Sequence, residues 1–195
     1  MGQDYSYCVY APASNVGRAL SALVEMAPAA ERPPIEVTLP GGARMTLPFT
    51  SGSKSEPVDC SAGGDLNLDT SILIDVEDAE TRSYFPPEAR DESGRARLGY
   101  LYLTVRFAAD VRPGYAELEF TAATTHMSML MENSATVQAA FTALTIAGGG
   151  ACCWLDRAWQ SLEVRWLNGE TRRDPVPGPR YATGLDVAAT WPDPA

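Results

Sequence analysis

Histidine is nearly missing from this chain, since His126 is the only one among 195 residues. Cysteine is also sparse, and the four cysteines are Cys8, Cys60 and the adjacent pair Cys152 and Cys153. Their positions lack the spaced pairs that hold a zinc ion, and they do not form a disulfide framework. We therefore predict reduced thiols, no metal site and no cofactor.

Basic residues are few, with 15 lysines and arginines against 25 acidic residues and a formal net charge of -10. Such a charge repels a phosphate backbone, and the longest basic run is only Arg172 and Arg173. The chain also lacks an apolar run long enough for a signal peptide or a membrane span. We expect a cytoplasmic protein without a nucleic-acid or membrane partner, so that a protein or a small molecule is the partner to expect. A basic partner fits this charge more readily than an acidic one, but the simpler interpretation of the acidity is solubility rather than function.

Alternation of apolar and polar residues is the strongest structural signal. Between Leu66 and Val76, leucine and isoleucine alternate with asparagine, aspartate and serine, which predicts a strand with one buried and one wet face. Turn residues such as Pro40–Ala43 and Asp110–Gly114 separate further β-prone runs. These runs predict strands at 5–10, 35–39, 44–49, 98–107, 115–122, 152–155 and 162–167.

Two segments have helical spacing instead. Ser14 or Asn15 can cap the first helix, which ends at Pro28, and Asn133 or Ser134 can cap the second, which Gly148–Gly150 stops. Amphipathic strands need one cover, and two such helices supply it. We predict an α+β fold, a mainly antiparallel sheet with two principal helices packed on one face. A sheet closed round a central cavity is the competing arrangement.

The chain length suits one domain, which we place at residues 1–174, followed by a Pro-rich C-terminal tail at 175–195. The stretch 50–64 is rich in Ser, Gly and Pro and predicts a surface loop. The apolar positions of 16–23 and 137–144 agree, which is consistent with two duplicated β-α-β-β halves at about 5–49 and 116–167. The alternative is that any two helices with one buried stripe agree this well.

Two motifs resemble metal sites. The stretch from Asp65 to Asp69 begins like a calcium loop, but Thr70 stands where glycine is needed and Val76 where glutamate is needed. Strand-face carboxylates are the better interpretation. His126 lies beside three methionines, at 127, 129 and 131, and thioethers with an imidazole suit Cu(I). Methionines at this spacing more often fill gaps in a core.

One sheet face carries the most informative surface. If Leu101, Leu103 and Val105 point to the core, the residues between them point outward, and Glu117 and Glu119 of the next strand do the same. A register that opposes Arg106 to Glu117 would then make a cross-strand ion pair. The candidate ligand- or partner-binding residues are Tyr100, Tyr102, Arg106, Glu117, Glu119 and His126. A solvated face with charge ladders is the simpler alternative.

The function that follows is a non-catalytic binding or interaction protein that uses this acidic and aromatic sheet face. No catalytic residue is predicted, because the chain has no Gly-x-Ser-x-Gly elbow and no cysteine in a nucleophile context. One alternative is an enzyme or small-molecule binder with a pocket between sheet and helices, where His126, Arg106 and the two glutamates converge. Another is a structural subunit of an oligomer.

Overall fold

A computed structural model describes residues 4–29, 32–52, 54–158, 161–177 and 180–194. The strands are β1 (Ser6–Pro12), β2 (Ile35–Thr38), β3 (Arg44–Leu47), β4 (Val58–Asp59), β5 (Leu66–Ile74), β6 (Ala96–Arg106), β7 (Tyr115–Ala122), β8 (Cys152–Asp156), β9 (Ser161–Leu167) and β10 (Glu170–Pro177). The helices are α1 (Val16–Glu25), α2 (Ala79–Tyr84), α3 (Thr125–Asn133), α4 (Ala135–Ala147) and α5 (Arg180–Ala188).

Seven strands form one antiparallel sheet in the order β10-β9-β8-β1-β7-β6-β5. The predicted α+β class with a mainly antiparallel sheet is confirmed. The predicted hairpin of β2 and β3 is present, but it forms a second small sheet in which β4 runs parallel to β2. Strand β4 lies inside the stretch 50–64 that we predicted as a loop, because two residues of that stretch add to the free edge of β2.

The two predicted helices are α1 and α4, and both pack on the same face of the large sheet. Helix α3 packs beside them, so that this first face is covered by three helices. The Tyr7 ring of β1 stacks on Phe141 of α4, with ring centroids 4.2 Å apart. Gly148, just after α4, lets that helix approach α1, because a Cβ there would lie 2.9 Å from the Cβ of Ala19. The main hydrophobic core fills the space between these helices and the sheet.

The other side of the sheet, which we call the second face, carries a smaller core of its own. Tyr10, Tyr115 and Trp154 project from neighbouring strands and are buried beneath α5 and Trp191. The predicted tail, 175–195, therefore contains the end of β10, helix α5 and a buried tryptophan. Strand β10 accommodates its prolines because it is an edge strand, where only one side of the backbone pairs.

The two stretches considered as duplicated halves have different strand arrangements. The hairpin that follows α1 lies in the small sheet, whereas the β8–β9 hairpin that follows α4 lies in the large sheet. The strand order that duplication requires is therefore not present. The similarity of the two helices reflects one buried stripe on each, which packing against a sheet demands of any such helix.

A buried arginine joins α3, α4 and β9 on the first face. Arg165 is 1% exposed, and its Nη1 donates to the side-chain oxygen of Gln138 at 2.6 Å. Its Nη2 donates at 3.0 Å to the carbonyl of Glu132, in the last turn of α3, where a cation also interacts favourably with the helix dipole. The carboxylate of Glu163 lies 3.1 Å from Nη1 and balances the buried charge.

The carboxylate of Asp78 caps two helices at once. It accepts hydrogen bonds from the Thr81 backbone at the start of α2, at 2.7 Å, and from the Thr136 backbone at the start of α4, at 2.9 Å. The hydroxyls of Thr81 and Ser134 donate to it as well. Partial burial alone would raise the pKa of Asp78, but these hydrogen bonds outweigh burial and hold its pKa well below the ordinary 3.8.

Replacing Asp78 by alanine should therefore lower the free energy of unfolding by about 1 to 2 kcal/mol at pH 7. Because the folded-state pKa is lowered, this stabilisation is present above about pH 4 and is lost as the pH falls towards the folded-state pKa. Urea denaturation of both proteins at several pH values measures the difference. The exposed Asp75→Ala is the control, and a difference that stays constant down to pH 2 would contradict the double cap.

Candidate functional site

The second face is covered on one half by α5 and Trp191 and is open on the other half. The alternation predicted for β6 is confirmed, since Leu101, Leu103 and Val105 are buried in the main core. Tyr100 and Tyr102 are 70% and 53% exposed, which makes them the two most exposed large hydrophobic side chains of the described residues. They lie on the strand that crosses the open half.

Arg106 pairs with two glutamates across the β6–β7 ladder. The register places Arg106 directly opposite Glu117, as the predicted cross-strand ion pair required. The Arg106 Nη1 lies 3.0 Å from Glu117 Oε2 and 2.7 Å from Glu119 Oε2. Burial alone would lower the pKa of Arg106, but the hydrogen bonds and charges of Glu119 and Glu117 raise it above its ordinary value. The guanidinium therefore stays charged and holds both carboxylates.

Glu117 and Glu119 were predicted to lie at the solvent-exposed surface, and this prediction is wrong. Glu117 is 4% and Glu119 is 9% exposed, although both point to the second face. Their burial follows from the neighbouring β1, whose Tyr10 pairs with Glu117 in the sheet register. The Tyr10 hydroxyl donates to Glu117 Oε1 at 2.6 Å, so that both oxygens of this carboxylate are hydrogen-bonded.

A cavity of about 220 Å³ opens beside this cluster, and we call it the acidic cavity. Its lining residues are Asp4, Ser6, Tyr10, Arg106, Asp110, Val111, Glu117, Glu119, Asp156 and Ala158. Five of them carry carboxylates and one carries a guanidinium, so the cavity favours cationic over anionic groups. Its floor is rigid, because it consists of paired residues from β1, β7 and β8.

A second cavity of about 140 Å³ lies at the β5 side of the sheet, and we call it the edge cavity. Tyr100, Asp69 and Arg97 are among its lining residues. Tyr102 is the strand partner of Asp69 and stands between Tyr100 and Arg106 along β6. The exposed tyrosines therefore occupy the stretch of strand that connects the two cavities.

His126 lies apart from the other candidates. It is exposed in the first turn of α3, on the helix-covered side of the sheet, where its ring lies 4.6 Å from the ring of Tyr84. The convergence of His126 with Arg106 and the glutamates is therefore wrong. The sheet itself separates them, which no spacing in the sequence could indicate.

The metal-like motifs have structural roles. Met127 and Met131 are buried in the main core, in agreement with the interpretation that these methionines fill gaps in a core. Asn67 and Asp69 lie on β5, and the Thr104 hydroxyl donates to the Asn67 side chain at 2.9 Å. Among the described residues, no cluster of three or more His, Cys, Asp or Glu has the arrangement of a metal site.

Sequence reasoning missed four acidic or phenolic residues of the acidic cavity. Asp156 ends β8 and is 4% exposed, Tyr10 lies on β1, Asp4 precedes that strand, and Asp110 lies in the connection between β6 and β7. None of the four has a recognisable motif around it. The pairing of β1 with both β7 and β8 brings them together, and such long-range pairing leaves no local signal.

Comparison with protein-family models, with curated proteins and with solved structures finds no match to this chain. None of the helices in the described ranges has the length and hydropathy needed to cross a bilayer. The geometry of the second face therefore carries the functional argument.

Replacing Arg106 by methionine should lower the free energy of unfolding by about 2 kcal/mol, because two buried carboxylates lose their counter-charge. The 30% exposure of the Arg106 side chain keeps this cost below that of a fully buried pair. Adding Glu119→Gln to the same chain should recover part of the loss. Urea denaturation of the single and double variants tests this, and a double variant less stable than Arg106→Met would show that the charges are not coupled.

Proposed function

We propose that this protein is a non-catalytic interaction protein that binds a basic protein partner through the open half of its second face. The binding surface would comprise Tyr100, Tyr102 and the acidic cavity beside Arg106. The observation that carries the proposal is the position of two exposed tyrosines on a rigid strand beside a cavity with five carboxylates.

The tyrosines supply the affinity in this proposal. Tyrosine contributes a large contact area with few rotatable bonds and keeps a polar hydroxyl, which is why it is enriched at the energetic centres of interfaces. Tyr102 is fixed at its backbone by strand partners on both sides, Asp69 and Thr121. A partner would therefore meet a preorganised surface and lose little free energy in ordering it.

The carboxylates supply the selectivity. The acidic cavity adds to a net charge of -10, so long-range attraction speeds the approach of a basic protein and disfavours an acidic one. Arg106 limits this charge locally and keeps Glu117 and Glu119 in place. Binding of this kind should weaken as ionic strength rises.

The two alternative functions have less support. The acidic cavity, at about 220 Å³, is smaller than the roughly 300–1,000 Å³ of typical small-molecule sites. A larger depression of about 610 Å³ beside Ile146 and Trp166 is lined, among the described residues, by no charged side chain and by none of the candidate residues. His126, the best acid-base candidate, lies on the other side of the sheet. A structural subunit would be expected to expose a wide apolar face, whereas among the described residues the only exposed large hydrophobic side chains besides Tyr100 and Tyr102 are Met129, Ile146 and Leu185, each on a different helix.

A photo-crosslinking amino acid at position 102 would test the proposal in lysate of the source cells. We expect Tyr102→p-benzoylphenylalanine to yield a discrete crosslinked protein with a basic isoelectric point, identified by mass spectrometry. The matched control carries the same amino acid at Met129, which is 51% exposed but lies on α3 at the opposite side of the sheet. The same products from both positions, or none from position 102, would refute the proposal.

Purified partner then allows a quantitative test. Tyr102→Ala should weaken binding by about tenfold, as expected for an aromatic residue at the centre of an interface. Met129→Ala should leave the affinity unchanged. Titration calorimetry at low and high salt separates the two contributions, because the tyrosine contribution persists at high salt and the carboxylate contribution declines.

A further inference from the structure

We propose that the segment 180–194, which we call the strap, opens and closes over the covered half of the second face, which holds Tyr10, Tyr115 and Trp154. The rest of the protein stays folded while it does so. The part that concerns binding rests on the proposed function: the closed strap limits the binding surface to the open half of the second face, and opening would add Tyr115, Trp154 and the rest of the Tyr10 ring to it. The opening itself is independent of that function.

The strap is held mainly by one side chain. The ring of Trp191 lies 4.9 Å from Tyr10, 5.0 Å from Tyr115 and 6.1 Å from Trp154, measured between ring centroids. Helix α5 itself contributes little, since only Gly184 and Ala188 are buried among those of its side chains that are described. Among the described residues of the strap, Trp191 is the only large side chain that is buried, so its withdrawal would remove the largest apolar contact described there.

Several further attachments of the strap are hydrogen bonds, among them one that the Asn168 side chain donates to the Thr190 carbonyl at 2.8 Å. Arg112 donates to the carbonyl of Ala188 at 2.8 Å and to the carboxylate of Asp193 at 3.0 Å. The Tyr115 hydroxyl donates to the Pro192 carbonyl at 2.8 Å. Water can replace each of these partners when the strap lifts, so the hydrogen bonds add little net resistance to opening.

The closed state also buries a donor without an acceptor. The indole N–H of Trp154, a fully buried side chain, has no hydrogen-bond partner among the described residues. A Cβ at Gly184 would lie 3.2 Å from the Trp154 ring, so α5 is packed tightly over it. An unsatisfied buried donor destabilises the closed state relative to one in which water reaches it.

The two cores lie on opposite faces of the sheet, and this separation allows the strap to open alone. Cys152 and Cys153 are adjacent in β8, but Cys152 packs in the smaller core beside Trp191 and Cys153 in the main core. Lifting the strap uncovers the first thiol and leaves the second beneath α4. Segments with few buried contacts are the ones that open below the global free energy of unfolding.

The strap also touches the acidic cavity. The Tyr10 ring packs at a tilt against Trp191, and its hydroxyl donates to Glu117, which Arg106 holds from the other side. Val111 lines the cavity and also lies against α5, 3.1 Å from where a Cβ of Gly184 would be. A partner in the cavity would therefore meet the margin of the strap and would favour the open form by any contact it makes with Tyr10 or Trp154.

Thiol labelling of the full chain tests the strap without any partner. One variant keeps only Cys152 and a second keeps only Cys153, with the other three cysteines changed to alanine in each. Burial raises the pKa of both thiols, that of Cys153 to about 12, so neither reacts appreciably until it is uncovered. In excess dithionitrobenzoate, we expect Cys152 to react at least about tenfold faster than Cys153.

Two further variants identify the strap as the moving part. Trp191→Ala and Arg112→Ala should each increase the labelling rate of Cys152, by up to about tenfold. Both variants should leave the labelling rate of Cys153 close to its original value. Near-ultraviolet circular dichroism and the urea midpoint check that the main core stays folded. If any of these variants fails to fold, the Cys152 and Cys153 rates in the single-cysteine proteins decide the question alone.

Equal labelling rates for Cys152 and Cys153, both matching the rate of global unfolding, would refute the proposed opening of the strap. Failure of the crosslinking at Tyr102 would refute the proposed function and leave these rates unaffected. If Cys152 is labelled rapidly but Trp191→Ala leaves the affinity for the partner unchanged, the strap opens and the part of the proposal that concerns binding is refuted.

Discussion

Strand β1 is the element on which the rest of the structure depends. It lies at the centre of the seven-stranded sheet, and all its residues from Ser6 to Ala11 are buried. Because successive side chains point to opposite faces, Tyr7 and Val9 enter the main core while Cys8 and Tyr10 enter the smaller one. One strand therefore contributes side chains to both cores, and its pairing with β7 and β8 brings together the residues of the acidic cavity.

The two faces of the sheet have different properties because they are covered differently. Three helices from within the chain cover the first face and bury a continuous apolar core, closed at the β9 side by the ion pair of Arg165 and Glu163. Within the described ranges, the strap is the one helical cover of the second face, and the described part of its helix contributes two small buried residues, Gly184 and Ala188. The incomplete cover leaves the exposed tyrosines and the acidic cavity beside a compact aromatic cluster.

Charge and packing are coupled through Tyr10. Its ring belongs to the aromatic cluster beneath Trp191, and its hydroxyl satisfies one oxygen of Glu117. Arg106 satisfies the other oxygen and extends the network to Glu119. A buried carboxylate with every contact satisfied is tolerated where an isolated one would not be, which explains how an acidic cavity persists at the centre of a sheet.

Local patterns in the sequence determined the two principal helices and most strands of the large sheet, but not β4, β10 or α5. The alternation in 66–76 and 98–107 predicted strands, and the cap at Ser134 predicted the start of α4. The turn between β6 and β7 predicted even the opposition of Arg106 to Glu117. Asn15 stands at the start of α1 but makes no capping hydrogen bond through its side chain. Tertiary structure alone decided the order of the strands, the burial of the two glutamates, the position of His126 behind the sheet and the docking of Trp191. Periodicity reports which face of an element is apolar, because that depends on neighbours within a few residues. Which elements meet depends on contacts between residues more than 100 positions apart, such as Tyr10 and Glu117, and these leave no local trace in the sequence.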